Sequence, residues 1–184
     1  MKTLPIIILS IFLTAHNPAA GRTVAPQHDL YIQVKIEHSE HSKDSNSETE
    51  TLTVSGDTLI YEDAHRGAHS GRFKPVEKRY KLTKEDRDGL ARLLNENHLL
   101  TTKSISKDAP ADSHVFYWLE LSLQSKLGGR EGSISIYGPL RSSEIKGDRL
   151  YQKVLPLVEA LYRIMNRTDA DMSFQGFDDD EPKQ

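Results

Sequence analysis

From His114 to Tyr137 the chain reads HVFYWLELSLQSKLGGREGSISIY. This stretch limits the possible folds more than any other. Val115, Tyr117, Leu119, Leu121 and Leu123 alternate with Phe116, Trp118, Glu120, Ser122 and Gln124. Successive strand side chains point to opposite faces, so the first set makes one apolar face. The other face begins aromatic and turns polar. Gly128, Gly129 and Gly132 break the alternation, and Ser133-Ile134-Ser135-Ile136-Tyr137 resumes it. Glycine supplies the positive φ that tight hairpin loops need. The segment therefore predicts an antiparallel pair with one apolar face, which needs a helical cover.

The N-terminus differs in kind. Lys2 precedes the apolar run from Leu4 to Leu13, and Ala19-Ala20-Gly21 follows. A positive start, a short apolar run and small residues predict a secretory signal peptide over 1–21. The run is shorter than the roughly 20 apolar residues that span a bilayer. The expectation is an exported chain, secreted or periplasmic, with no membrane attachment after cleavage. There is no cysteine, which excludes disulfides, thiolate metal sites and a lipidated-cysteine anchor. An exported chain without cysteine suits a bacterial envelope or secreted protein. The formal charge of -3 offers nothing to attract nucleic acid or an anionic membrane.

The remaining elements follow in order. Leu30, Ile32, Val34 and Ile36 alternate with polar neighbours and predict a first strand. Residues 38–50 read as a solvated loop. Residues 51–54 and 58–61 flank Ser55-Gly56-Asp57 and predict a tight hairpin. Residues 62–74 read as a second polar loop, and Val76 to Leu82 as a further strand. Thr83 before Lys84-Glu85-Asp86 starts a helix with a capping box, and Leu90, Leu93 and Leu94 share its apolar face. Thr101 to Ser113 reads as a polar crossing, and Leu140 to Gly147 as a loop. Asp148 caps a second helix with an apolar stripe from Leu150 to Met165, in which Pro156 predicts a kink or a restart. Residues 168–184, with Asp178-Asp179-Asp180-Glu181, read as an acidic disordered tail. The prediction is an α+β domain over 22–167. It has about five to six antiparallel strands with two helices on one face, in the order β, ββ, a further β, α, ββ, α.

Chemical signatures are sparse. The chain lacks H-E-x-x-H, G-x-S-x-G and a phosphate-cradling glycine loop, so no catalytic residue is assigned. His38 and His41, and again His65 and His69, lie near carboxylates. Imidazole with carboxylate suits zinc, so these four are the candidate metal ligands. The simpler reading is polar loops that contain histidine, with no cofactor. His98 is read as a cation beside a helix C-terminus. Arg72, Lys74, Lys78, Arg79, Lys81 and Lys84 interleave with Phe73 and Tyr80. They read as the guarded face of an edge strand or as a docking patch. Phe116, Trp118, Phe73 and Tyr80 are the candidate binding residues, since buried interface anchors favour aromatics.

From Tyr80 to Met165 the order is a capped helix with L-x-x-L-L, a polar crossing and the strand Phe116-Tyr117-Trp118-Leu119-Glu120-Leu121. A return strand and a leucine-rich closing helix follow. In order and hydrophobic pattern this resembles the emfourin-type proteins, small bacterial inhibitors of thermolysin-like metalloproteases. The family's glycine-rich inhibitory segment has no counterpart here, so no inhibitory residue carries over. An intact fold signal without catalytic motifs predicts an exported, non-enzymatic domain that binds another protein, and the resemblance implies a protease as the partner, with the domain as its inhibitor. Two other functions remain open: a small exported metal-dependent or hydrolytic enzyme using the loop histidines, and a structural envelope protein.

Overall fold

The computed structural model describes residues 29–41, 47–66, 76–108, 116–139 and 143–172. The signal segment, His69, Phe73 and the tail beyond 172 lie outside the described residues. Seven strands make one sheet: β1 (Tyr31–His41), β2 (Ser47–Ser55), β3 (Thr58–Arg66), β4 (Val76–Lys81), β5 (Thr102–Ser106), β6 (Phe116–Leu127) and β7 (Arg130–Pro139). Three helices accompany it: α1 (Lys84–Glu96), the single turn α2 (Ser143–Lys146) and α3 (Arg149–Asn166). The spatial order is β4-β3-β2-β1-β6-β7-β5. Every ladder is antiparallel except that of β5 with β7.

Two tight turns set the registers. Gly128 and Gly129 both hold positive φ, 56° and 76°, between Leu127 and its partner Arg130. Positive φ at both central residues is the type I′ pattern, whose twist matches that of the strands. In the β2–β3 turn only Gly56 is left-handed, at 62°, with Ser55 opposite Thr58. That is the II′ pattern.

With these registers fixed, side-chain alternation sorts the sheet into two faces. Ile32, Val34, Ile36, Leu52, Val54, Leu59, Leu119, Leu121, Leu123, Ile134 and Ile136 all point inward and are fully buried. They form one core with Leu90 and Leu94 of α1, Ile145 of α2, and Val154, Leu157, Val158, Leu161 and Met165 of α3. All three described helices therefore roof the same face, and the α+β architecture read from the sequence holds.

The capping box at α1 is complete. The Asp86 N–H donates to Thr83 Oγ1 at 3.2 Å, and the Thr83 N–H donates to Asp86 Oδ2 at 2.9 Å. At α3, Asp148 accepts from the Leu150 N–H at 2.7 Å. The other end of α1 closes differently from expectation. His98 takes φ 54°, its N–H donates to the Asn95 carbonyl, and the Leu99 N–H donates to the Leu94 carbonyl at 2.9 Å. This is a Schellman closure with histidine in the left-handed position that glycine usually fills. His98 thus serves the helix end through its backbone, where the sequence pointed to its charge.

The structure corrects other boundaries. The sheet has seven strands, more than expected. Residues 38–50 are mostly strand: β1 continues to His41 because it pairs with β6 as far as Phe116, and β2 begins at Ser47. β3 runs on to Arg66 for the same reason. Ladder hydrogen bonds extend a strand without any apolar side chain, so hydropathy alone makes these strands too short. The supposed crossing after Thr101 contains β5, whose only apolar residue is Ile105. The supposed loop before Gly147 contains α2. Pro156 does not break α3, because buried Val154, Leu157 and Val158 hold the helix against the sheet on both sides of the missing N–H. The chain also packs beyond residue 167. Met172 is buried, and Lys78 on β4 pairs with Asp169.

Candidate functional site

The helices leave the other sheet face without a helical cover among the described residues. Along β1, Gln33, Lys35, Glu37 and Ser39 point outward beside Thr49, Thr51 and Thr53 of β2. Ser122 and Gln124 of β6 continue the surface next to Ser133 and Ser135 of β7. Its contacts are modest: Gln33 Nε2 donates to Thr53 Oγ1 at 3.4 Å, and Lys35 pairs with Glu37 at 3.0 Å. The residues along it are mostly polar, and the charges of Lys35 and Glu37 offset each other.

One corner of this face is aromatic. Trp118 of β6 and Tyr137 of β7 stack with ring centroids 4.8 Å apart and planes inclined by 23°. The ladder explains the contact. Trp118 lies opposite Pro139 and Tyr137 opposite Glu120, so the two rings are diagonal neighbours on one face, a spacing long side chains bridge. Tyr137 keeps 38% of its surface exposed, and Trp118 is half-buried. A rigid, partly wet aromatic pair beside a polar plain has the make-up of an interface anchor: large contact area with little rotamer freedom to lose.

The predicted site residues separate. Phe116 sits at the end of β6 opposite His41 of β1, two positions before Trp118, and its side chain is outside the described set. Tyr80 is on the inner face opposite Leu59 and only 8% exposed, which leaves a partner little of it to touch. β4 is an edge strand, and two of its cations are engaged, Lys78 with Asp169 and Arg79 with Glu77 at 2.6 Å, as is Lys84 beyond it with Asp88 at 2.7 Å. His38 and His41 lie three positions apart on one strand, at register positions of opposite parity. The register does bring His38 and His65 together, one on each side of Glu48. The side chains of His41 and His65 are outside the described set. Among the described residues no group of three or more His, Cys, Asp or Glu is arranged to hold a metal ion.

The sequence reading missed a polar cluster on the inner face. Glu50 of β2 accepts from the Tyr61 hydroxyl at 2.9 Å and also from the Tyr162 hydroxyl of α3. Burial, reinforced by the Glu50 carboxylate, raises both phenols well above their ordinary range. One carboxylate thus ties the closing helix to β2 and β3, and both phenols must keep their protons to do so. Nothing local marks this triad: Glu50 stands in a polar run, and its partners are 11 and 112 residues away. Tyr137 was more legible, as the last outward position of the lane that begins with Ser133 and Ser135.

No protein-family model matches the chain, and no curated protein matches it. No described helix is long and apolar enough to cross a membrane.

Proposed function

We propose that the protein is an exported, non-enzymatic binding domain that recognises another protein through the open sheet face, with Trp118 and Tyr137 as the anchor. The carrying observation is the stacked aromatic pair at the corner of a seven-stranded polar face that no described helix covers. Interface energy concentrates in Trp and Tyr set among weaker polar contacts, and this corner has that composition. Export rests on the N-terminal leader pattern. The emfourin-like order of Tyr80 to Met165 makes a metalloprotease the first partner to try.

The test is affinity capture from culture medium and envelope extract with the wild-type domain and with a Trp118→Ala, Tyr137→Ala variant of unchanged circular dichroism. A partner held by the wild type and lost by the variant is the expected result. Equal capture by both would remove the aromatic corner from the account. Titration of the domain into a thermolysin-like protease tests the inhibitor reading separately, and undiminished peptidase activity at saturation rejects it.

A second reading, a metal-dependent enzyme, rests on the cross-strand row His38–Glu48–His65. Zinc calorimetry on the wild type and on a His38→Ala, His65→Ala variant discriminates the two readings, since only a true site loses its heat with the histidines.

A further inference from the structure

We infer that β5 is a self-pairing edge: two copies of this chain join their sheets antiparallel through residues 102–106, about a two-fold axis at Ser104.

The backbone phase of β5 is fixed by bonds at its two ends. The Thr101 carbonyl accepts from the Ser133 N–H at 2.9 Å, and the Lys107 N–H donates to the Tyr137 carbonyl at 2.9 Å. In a parallel ladder alternate residues bond to the neighbour, so the odd positions from 101 to 107 face β7. The even positions, Thr102, Ser104 and Ser106, turn their N–H and C=O groups toward the open side. Among the described residues no strand pairs with that side, where β5 ends the sheet.

A two-fold axis perpendicular to the sheet pairs even positions with even ones whichever residue it passes through, so outward-facing polar groups meet in each such register. An axis at Ser104, the middle residue of β5, gives the longest overlap. Ser104 then exchanges both hydrogen bonds with Ser104 of the second copy, and Thr102 does so with Ser106. On the outer face the cross-strand pairs are Ser with Ser and Thr with Ser, hydroxyl pairs that are favourable in sheets. On the inner face Lys103 stands opposite Ile105, so no like charges meet.

The opposite edge shows the contrast. Pairing β4 with itself about its middle brings together the two copies' ion pairs of Lys78 with Asp169 or of Arg79 with Glu77, charged groups of the kind that edge strands carry to resist pairing. One edge of the sheet is guarded by charge and the other is self-complementary. A five-residue ladder buries little, so the association is weak and concentration-dependent.

The arrangement goes beyond the partner reading and does not rest on it, but it has a consequence for it. A two-fold axis between antiparallel edge strands is perpendicular to the sheet, so both open faces look the same way. Tyr137 lies beside Ser106. Strand spacing and rise then place the two copies' Tyr137 positions about 20 Å apart on one continuous surface, a spacing that favours bivalent capture.

The test is sedimentation of the purified protein from micromolar to millimolar concentration, for the wild type and for S104K and S104E. Ser104 is exposed, so both substitutions leave the fold intact. The expected result is a concentration-dependent dimer for the wild type, monomers for each variant alone, and a restored dimer when the variants are mixed. A wild type that stays monomeric, a dimeric S104K, or a mixture that fails to associate would each overturn the proposal. Amide exchange gives a readout free of substitution: Thr102, Ser104 and Ser106 gain protection as concentration rises, while Lys103 and Ile105 do not change. Uniform behaviour of the five amides contradicts the register.

Discussion

Ser125 and Gly132 face each other across the β6–β7 ladder and jointly hold the chain that leaves α1. Ser125, 3% exposed, donates its hydroxyl to the Leu99 carbonyl at 3.0 Å. A Cβ at Gly132 would lie 2.4 Å from that same carbonyl and 2.6 Å from the Thr101 nitrogen. One residue supplies the bond and the other the space that lets residues 99–101 cross over the sheet and descend into β5. Two substitutions follow from this contact. Ser125→Ala strands a buried acceptor and should cost about 1–3 kcal/mol. Gly132→Ala forces backbone apart and should cost at least about 1–3 kcal/mol. Because both act on Leu99, the double variant should cost less than the sum. Urea unfolding of the four proteins measures it, and strict additivity would mean the two residues do not share a task.

His98 should be replaceable at a gain. A side chain in the left-handed region costs roughly 1–2 kcal/mol, while glycine loses about 0.5–1 kcal/mol more entropy on folding. The difference favours His98→Gly by up to about 1 kcal/mol. Thermal unfolding reads the sign directly. A lower midpoint would show that the imidazole itself contributes contacts that outweigh the backbone strain.

The Glu50 triad should make the fold sensitive to alkali. Folded Tyr61 and Tyr162 hold their protons above the ordinary phenol range. A group whose folded pKa is raised contributes stability that is present below the unfolded value and lost as pH climbs past it. Stability should therefore be flat to about pH 9 and fall beyond about pH 10, where free phenols ionise. In Tyr61→Phe, Tyr162→Phe the fall should be much shallower. Denaturant midpoints between pH 8 and 11 check this, and equal slopes in both proteins would discount the triad.

Asp86 should set the acid side. Its carboxylate is 11% exposed and meets Arg167 at 2.7 Å, linking the start of α1 to the end of α3. Burial alone would raise its pKa, but hydrogen bonds from Arg167 and from the Thr83 backbone and hydroxyl outweigh that and hold it below the usual carboxylate range. A depressed folded pKa gives stability that is present above the unfolded value and lost as pH falls through the folded one. Arg167→Ala should therefore shift the Asp86 titration upward and move acid unfolding to higher pH. Carboxyl NMR titration follows the group itself, and an unmoved Asp86 in the variant would make the ion pair irrelevant.

The readings that held in this chain were those carried by local repetition. Leu119, Leu121 and Leu123 declared a buried face because side chains alternate on any strand. Gly128-Gly129 declared its turn because few other residues hold positive φ. Thr83 and Asp86 declared a cap because three residues bring them within reach. Each signal needs only a short span of chain and the stereochemistry of the backbone.

The sequence by itself thus determined the α+β class, the inward faces of the central strands and the starts of α1 and α3. Tertiary structure alone decided that a strand as polar as β5 belongs to the sheet, since it is held by hydrogen bonds to β7 and hardly at all by apolar burial. It also decided that Tyr80 belongs to the core, that Trp118 meets Tyr137, and that Glu50 gathers a tyrosine from 112 residues away. These outcomes depend on which strands become neighbours. That choice follows from burying all the apolar faces together, a property of the whole chain that no single segment carries.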